Sequence, residues 1–558
     1  MRLWNLEKNE LFARYQYWLS NVNDAMKAEL EAIAENETEI EDRFYCDLSF
    51  GTAGMRGIMG CGTNRMNIYT VRKATRGLAA WLKKEAIDEN GVAIAMDTRN
   101  RSAEFALEAA LTLADEGIKV YLYTIPSATP LLSYTVRKLG CAAGIVITAS
   151  HNTKEYNGYK VYDSTGCQMV SSAAAEVASL VWEAYPFDDR ISEEEARNRG
   201  LLTELGEEML KDFCYKTMRQ SHALSKEAIE GLNVVYTPLH GAGLVPVTFV
   251  LKTKGYAVDV VAEQADPDGD FPTVKKPNPE ERDALVPAIR RAGEIGADLV
   301  LGTDPDSDRV GIAVSDEGGY KLLNGNQIGA LLVNYLLIRR KERLKKNSVI
   351  LKSIVTNDFG AEIACRNGVN VVETLTGFKY IGEAITAYEE SDEYDFLMGY
   401  EESYGFLIGK HARDKDAVVT SMLICEMAAY YKEQGYSLYD ILKSLHHRYG
   451  YYLDAVDSVT YSGSAGKERM KEIMGSLRKA TDLFGEEDVT VLDFQNGIDG
   501  LPPADVLKYV FSDGSWAAVR PSGTEPKLKI YYSVKGKNER AATARLMQYS
   551  DILLSATE

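Results

Sequence analysis

The sequence predicts an α/β protein of several domains that ends in a unit of α+β character. Three observations predict this. At ~150 residues per domain, a length of 558 residues corresponds to about four domains. Up to about Gly450, short apolar runs alternate with segments of helical period, the pattern of layered α/β units. Beyond it, strand-like runs gather around one hairpin signal.

The first unit is expected to hold strands at Val92 to Met96, Val120 to Tyr123 and Gly144 to Ile147. Helices over Ser102 to Glu116 and Leu131 to Leu139 lie between them, because their apolar residues recur with helical spacing. Asn233 to Tyr236 and Leu299 to Leu301 are strands of a second unit. A third, from about Asn324 to Gly450, has strands near Val349 to Ile354, Val369 to Val372 and Phe396 to Met398, with long helices after Asp416 and Ser437. The last unit begins with a strand (Ala455 to Tyr461) and a helix (Ala465 to Phe484). Strand-like runs follow at Val489 to Phe494, Leu507 to Phe511 and Trp516 to Val519, and Asp513-Gly514 supplies the hairpin turn between the last two. Lys529 to Val534 and a helix from Asn538 close the chain. The acidic Glu193 to Glu195 and the segment Leu201 to Glu208 mark a first domain boundary.

Composition narrows the function. Lys plus Arg is 63 and Asp plus Glu 82, a formal charge of −19. That balance argues against a general nucleic-acid binder or a basic membrane-surface protein, both of which rely on clustered positive charge. It leaves an anionic small molecule open, since a few placed Arg and Lys hold a phosphate inside an acidic protein. No apolar stretch approaches ~18 residues, so no transmembrane segment is expected, and Met1 to Tyr15 lacks a signal-peptide core. Seven scattered cysteines (46, 61, 141, 167, 214, 365, 425) suit reduced thiols in a cytoplasm and are expected to be small buried apolar residues.

Four loops carry chemistry. Thr148-Ala149-Ser150-His151-Asn152 follows the strand Gly144 to Ile147, at the strand end where α/β sheets place ligands. Ser150 is either a nucleophile or a residue of a capped turn. A Ser-His hydrolase pair is a poor reading, because neighbouring side chains on a strand point opposite ways and no Gly-x-Ser-x-Gly elbow surrounds Ser150. Lys160 puts an ammonium near the same loop. Asp304-Pro305-Asp306-Ser307-Asp308-Arg309 sits between two apolar strands. Three carboxylates at alternate positions converge only if a cation offsets their repulsion, and hard oxygen ligands point to Mg²⁺; a solvated acidic turn is the alternative. Asp266-Pro267-Asp268-Gly269-Asp270 spells similar chemistry, but no following Arg closes it and it reads as a turn that shapes the second domain. In Gly399-Tyr400-Glu401-Glu402-Ser403-Tyr404-Gly405 a carboxylate and a hydroxyl two residues apart suit vicinal sugar hydroxyls, although alone this is equally a charged loop. His411, Arg413, Lys415 and Asp416 lie close by, and Thr376-Gly377-Phe378-Lys379 forms a further polar turn. Arg520-Pro521-Ser522-Gly523-Thr524-Glu525-Pro526-Lys527 offers a guanidinium, hydroxyls and a glycine-permitted turn, the parts of a phosphate clamp or of a rigid surface turn.

In order, and together with Phe50-Gly51-Thr52-Ala53-Gly54-Met55-Arg56-Gly57, these loops resemble those of the α-D-phosphohexomutases, specifically the long bacterial phosphoglucomutase branch with its phosphomannomutase relatives. The resemblance runs from about Phe50 to near the end of the chain. It implies three related α/β domains with mixed sheets and a C-terminal domain of TATA-binding-protein-like fold, four domains whose loops line a central cleft. The expected divisions are 1–205 (an N-terminal helical extension and phosphoserine domain), 206–322 (metal-binding), 323–452 (sugar-binding) and 453–558 (phosphate-binding).

By the same resemblance, Ser150 carries the phosphoryl group. Asp304, Asp306 and Asp308 hold Mg²⁺ together with an oxygen of phosphorylated Ser150. Lys160 and Lys415 match general acid or base positions. Arg56, His151 and Arg309 steady the reacting phosphate. Thr376, Gly377 and Lys379 belong to the sugar-choosing loop, Glu401 and Ser403 bind sugar hydroxyls, and Arg520, Ser522, Gly523 and Thr524 hold the non-reacting phosphate. Ala53 stands where some relatives carry serine, which removes any side-chain role there. The implied reaction interconverts glucose 1-phosphate and glucose 6-phosphate, with glucose 1,6-bisphosphate as intermediate and activator. The implied partner is a small phosphosugar, with no nucleic acid and no membrane, and the state a monomer or weak dimer. Phosphomannomutase and phosphopentomutase share the mechanism, because Glu401 and Ser403 contact hydroxyls that do not distinguish glucose from mannose. A non-catalytic relative would have lost Ser150 or the Asp304 triad, and a histidine-rich phosphatase shell is missing from a chain with six histidines.

Overall fold

The computed structural model describes residues 8–51, 54–461, 464–480, 482–485, 488–522 and 527–557. The chain divides into two compact units. Unit 1 comprises Met1–Ala313, Gly382–Ala387 and Leu407–Glu426, and unit 2 comprises Val314–Ile381, Tyr388–Phe406 and Met427–Glu558.

Unit 1 begins with helices Lys8–Asn21, Asp24–Glu31 and Glu37–Phe44. The last two start at asparagines whose side chains accept a backbone N–H of the first turn, Asn23 from Met26 and Asn36 from Glu39. Tyr15, Trp18, Leu30 and Phe44 pack with Tyr69 into a separate aromatic core. The sheet that follows has the strand order Met55–Ile58, Tyr156–Asp163, Ala143–Ile147, Val92–Met96, Val120–Tyr123, Leu202–Leu205. Its first two pairings are antiparallel and the rest parallel. Val92–Met96 and Ala143–Ile147 are buried at every position, as expected of apolar strands covered on both faces. Further along, Leu299–Thr303 and Ala257–Val260 flank Asn233–Thr237 in parallel.

Unit 2 has a parallel set in which Ser348–Ser353 lies between Asn370–Thr374 and Asp395–Glu401. Its C-terminal sheet is antiparallel throughout, in the order Tyr451–Thr460, Lys527–Gly536, Trp516–Pro521, Leu507–Phe511, Val489–Asp493. Asp513-Gly514 makes the expected hairpin turn, with Gly514 at φ 84. Helices Ser464–Lys479 and Glu539–Thr557 supply Ile473, Met474, Leu477, Tyr549 and Leu553 to one core with Leu507, Tyr509 and Ile530.

The sequence-based elements err in identifiable ways. The helix expected to reach Phe484 stops at Lys479, and Phe484 turns to pack edge-on against Tyr509, Phe511 and Tyr549. Tyr156–Asp163, read from the sequence only as the place of the Lys160 ammonium, is a strand buried at all but its end positions. Leu202–Leu205, expected as a boundary segment, adds an edge strand to the first sheet. None of the seven cysteines forms a disulfide, and the burial expectation fails at Cys365, which is exposed on the helix Phe359–Arg366, and is only half met at Cys46, which is partly buried. Among the described residues, no helix is long and apolar enough to cross a membrane.

Candidate active site

In unit 1, the strand Ala143–Ile147 delivers Ser150, buried and on a left-handed backbone (φ 51). Such a conformation is strained for a residue with a Cβ and must be held by its surroundings. Thr148 Oγ1 accepts from Ser150 N at 2.7 Å and donates to Asp97 Oδ2 at 2.6 Å. Ser150 Oγ donates to Asp304 Oδ2 at 2.7 Å and lies 3.1 Å from His151 Nδ1. The strand-like separation of Ser150 from His151 is therefore corrected: the left-handed turn swings the two side chains together.

Asp304 begins the turn after Leu299–Thr303, and Asp306 and Asp308 follow on it. Asp304 Oδ1 accepts from the backbone N–H of Asp308 at 3.1 Å and of Arg309 at 3.0 Å. One oxygen from each of Asp304, Asp306 and Asp308 lies within 4.8 Å of the others, and all three residues are buried. Asp306 Oδ1 and Asp308 Oδ1 are buried without any hydrogen-bond donor. A buried carboxylate oxygen with no donor is costly unless a cation meets it, so these residues fit a hard divalent ion such as Mg²⁺. Among the described residues no other such acidic or thiolate cluster occurs.

Two ammoniums face the same carboxylates. Lys160 Nζ donates to Asp306 Oδ2 at 2.8 Å and lies 3.4 Å from Asp308 Oδ2. Lys415 Nζ is 3.0 Å from Asp308 Oδ2 and 3.0 Å from Asp414 Oδ1. Burial disfavours the Lys160 charge, but Asp306 and Asp308 outweigh it and raise its pKa. Burial and then the charges of Asp306 and Asp308 push Asp304 well above the usual carboxylate range. Asp306 moves the other way: Lys160 overcomes its burial and holds it below that range. Burial, reinforced by Arg309 and Arg56, pushes His151 well below its ordinary value. Arg56 Nη1 donates to Asn152 Oδ1 at 2.9 Å, and Arg309 Nη1 to Glu280 Oε1 at 2.5 Å. Unit 1 thus brings Ser150, His151, Lys160, Asp304, Asp306, Asp308, Arg309, Arg56 and Lys415 into one connected neighbourhood.

The remaining candidates fall in unit 2. Gly377 N donates to buried Glu401 Oε1 at 2.7 Å, which joins the Thr376 to Lys379 turn to the Glu401 to Ser403 loop. Thr376 Oγ1 is buried without a partner, and Lys379 Nζ lies 5.0 Å from the Tyr380 ring centroid. Ser403 is half-buried. Arg520 is the penultimate residue of the strand Trp516–Pro521, opposite Lys529. Tyr531 lies near both loops: burial and Glu402 raise its phenol, Arg520 opposes them, and the net result is a pKa of about 12. Ser522 N donates to Lys527 O at 2.7 Å. Gly523 and Thr524, and Thr52 and Ala53 of the N-terminal loop, lie outside the described residues.

Sequence reasoning missed five polar residues that hold this chemistry in place. Asp97 and Arg99 brace the Ser150 loop, Thr129 Oγ1 donates to Asp306 Oδ2 at 3.0 Å, Asp414 ties Tyr162 to Lys415, and Glu280 takes Arg309. The one available signal was position: Asp97-Thr98-Arg99 directly follows the strand Val92–Met96, at a ligand-bearing strand end.

The sequence matches four family models in order: phosphoglucomutase/phosphomannomutase alpha/beta/alpha domain I over 47–186, domain II over 212–319, domain III over 324–449, and the C-terminal domain over 467–548. The chain belongs to the phosphoglucomutase/phosphomannomutase family. Within it, the chain is 37% identical over 535 residues to a phosphoglucomutase of Staphylococcus epidermidis, covering 93% of this chain and 96% of that one. A phosphoglucomutase of Staphylococcus aureus is 36% identical over 544 residues, covering 94% and 96%. The family fold is also seen in solved structures. A phosphoglucomutase/phosphomannomutase family protein of Burkholderia thailandensis superposes with a TM-score of 0.66 at 17% identity, covering 90% of this chain and 97% of that one. The open form of the Paramecium phosphoglucomutase parafusin gives 0.69 at 17%, covering 91% and 95%.

Proposed function

We propose that this chain is a Mg²⁺-dependent phosphoglucomutase that interconverts α-D-glucose 1-phosphate and glucose 6-phosphate through phosphorylated Ser150. The observation that carries the proposal is Ser150 Oγ, 2.7 Å from Asp304 Oδ2 and held on a left-handed backbone against three clustered carboxylates. Near full-length identity to relatives named phosphoglucomutase supports the substrate.

The 6-hydroxyl oxygen of glucose 1-phosphate bonds to the phosphorus on Ser150 as the Ser150 O–P bond breaks. The hydroxyl proton passes to the carboxylates of the cluster around Lys160 and Lys415, and the cluster gives a proton to the departing Ser150 Oγ; both moves run in reverse in the second transfer. The product, glucose 1,6-bisphosphate, turns over in place and returns its C1 phosphoryl group to Ser150, which leaves glucose 6-phosphate. Asp304, Asp306, Asp308 and an oxygen of phosphorylated Ser150 would hold Mg²⁺, which supplies positive charge to the transferring phosphoryl oxygens. Lys160, kept charged by Asp306 and Asp308, adds to that charge, and Arg56, His151 and Arg309 fix the phosphoryl group. Lys415 sits where a proton carrier is needed, between Asp308 and Asp414. Glu401 and Ser403 take sugar hydroxyls and Thr376, Gly377 and Lys379 choose among sugars. Arg520, Ser522, Gly523 and Thr524 take the non-reacting phosphate.

We assign the domains to 1–205, 206–322, 323–452 and 453–558, divisions within which the four family matches fall. A cytoplasmic location fits seven cysteines outside any disulfide.

The test follows glucose 1-phosphate to glucose 6-phosphate with Mg²⁺ and a trace of glucose 1,6-bisphosphate, beside mannose 1-phosphate and ribose 1-phosphate. A glucose preference, and loss of both turnover and phosphoryl incorporation in Ser150→Ala, are expected. A mannose or ribose preference overturns the substrate, and normal turnover in Ser150→Ala overturns the nucleophile.

A further inference from the structure

Arg99 takes no part in the chemistry described above, yet its side chain is fully buried beneath the Ser150 loop. One guanidinium donates to four backbone carbonyls of that loop. Nη2 reaches Ser150 O at 2.6 Å and Asn152 O at 2.5 Å, and Nη1 reaches Thr153 O at 2.8 Å and Tyr156 O at 3.1 Å. Nε lies 3.2 Å from Asp97 Oδ2, and Asp97 Oδ1 accepts from Arg99 N at 2.9 Å and Ser102 Oγ at 2.8 Å. The other oxygen of Asp97 accepts from Thr148 Oγ1, which in turn accepts from Ser150 N. Asp97 and Arg99 therefore grip the loop on both sides of Ser150: one through its N–H, the other through its carbonyl.

The segment 266–271, which spells alternating carboxylates without gathering them, closes over this grip. The Phe271 ring centroid lies 5.1 Å from the Arg99 guanidinium carbon. Asp270 Oδ1 accepts from Asn100 Nδ2 at 3.2 Å, next to Arg99, and from Lys154 Nζ at 3.3 Å, within the gripped stretch. Gly269 comes so near that a Cβ there would lie 2.3 Å from Asn100 N.

We propose that Arg99, seated by Asp97 and covered by Phe271, is a positioning residue that holds Ser150 in its left-handed conformation for phosphoryl transfer. The proposal rests on Ser150 as the phosphoryl carrier. Left-handed backbone at a serine is strained and persists only when surrounding bonds over-determine it; four carbonyl bonds from one planar group do so. Lysine offers no fork and reaches fewer of these carbonyls at once. The negative charge of a transferred phosphoryl group also comes to rest on a loop four of whose carbonyls point toward a buried cation, so the fixed charge serves the loop's electrostatics as well as its shape.

The experiment compares the full-length protein with Arg99→Lys and Thr148→Val. Steady-state kinetics with glucose 1-phosphate are run beside amide hydrogen exchange of the 148–156 peptide without substrate. In Arg99→Lys, kcat is expected to fall on the order of 10²-fold, as a displacement near 1 Å does, with KM changed less than about threefold. Exchange in 148–156 is expected to quicken at least about tenfold while the rest of unit 1 keeps its protection. Thr148→Val, which severs the link from Asp97 to Ser150 N without emptying the site of Arg99, is expected to move both readouts the same way, and it carries the test if Arg99→Lys does not fold. Wild-type exchange in 148–156 in the folded variants overturns the proposal, as does wild-type kcat. A wild-type protein without turnover counts against the phosphoglucomutase assignment instead, and loop exchange then still decides the role of Arg99.

Discussion

Substituting Gly158 by alanine tests whether the spacing of the first sheet sets the reaction. Gly158 lies in the strand Tyr156–Asp163, pairs with Arg56 on one side, and accepts from Thr148 N on the other. A Cβ at this position would stand 2.5 Å from Thr148 O and 2.9 Å from Met55 O. A carbon and a carbonyl oxygen approach to about 3.3 Å at closest, so one flank must open by roughly 0.8 Å. Both obstacles are backbone, so no side chain can rotate away. Thr148 is two residues from Ser150, Met55 adjoins Arg56, and Lys160 lies two residues further along the same strand. A displacement of this size in a transfer site costs on the order of 10²-fold in rate, and overpacking costs about 1–3 kcal/mol in stability. The assay is kcat for glucose 6-phosphate formation, read beside the thermal midpoint. A variant with wild-type kcat and wild-type midpoint would falsify the claim that strand spacing positions these three groups.

Three further outcomes are expected. Removing divalent metal with a chelator should silence the wild-type enzyme, and Asp308→Asn should need at least about tenfold more Mg²⁺ for half-maximal rate, since it takes one charge from the oxygen set; an unchanged Mg²⁺ response would place the metal elsewhere. Asp454 Oδ1 and Oδ2 accept from Asn357 and Asn324, yet burial, acting against these bonds, raises its pKa to about 6. An acid whose folded pKa is raised stabilises the fold below its unfolded value and loses that contribution as pH climbs through the folded one. Wild type should therefore lose up to about 3 kcal/mol relative to Asp454→Asn between about pH 4 and 7 in denaturant titrations; a pH-independent difference between the two would refute the shift.

Much of this was legible in the sequence, for physical reasons that can be named. The Asp304 to Arg309 loop stood out because apolar strands flank it on both sides, so its charges had nowhere to go but a turn. Val92–Met96 and Val120–Tyr123 were read to the residue because short continuous apolar runs suit covered parallel strands. Tyr156–Asp163 escaped because Asn157 and Lys160 look solvent-seeking, and only the distant Asp306 and Asp308 make a lysine acceptable inside that sheet. Arg99 escaped for a similar reason: its four acceptors are main-chain carbonyls more than fifty positions away, and carbonyls leave no mark in a sequence. The Ser150 and His151 contact needed the sign of one φ angle.

The division of the chain between its two units has a consequence for how the protein is made. The chain passes from one unit to the other five times, at 313/314, 381/382, 387/388, 406/407 and 426/427. No single cut separates the units, so neither can be obtained by truncation free of the other, and a gene split at any one point leaves at least one fragment carrying pieces of both. On the ribosome, Ser150 and the three aspartates emerge long before Lys415, which returns to their unit only with Leu407–Glu426. The acidic cluster therefore waits, without one of its two lysines, until about three quarters of the protein has been synthesised.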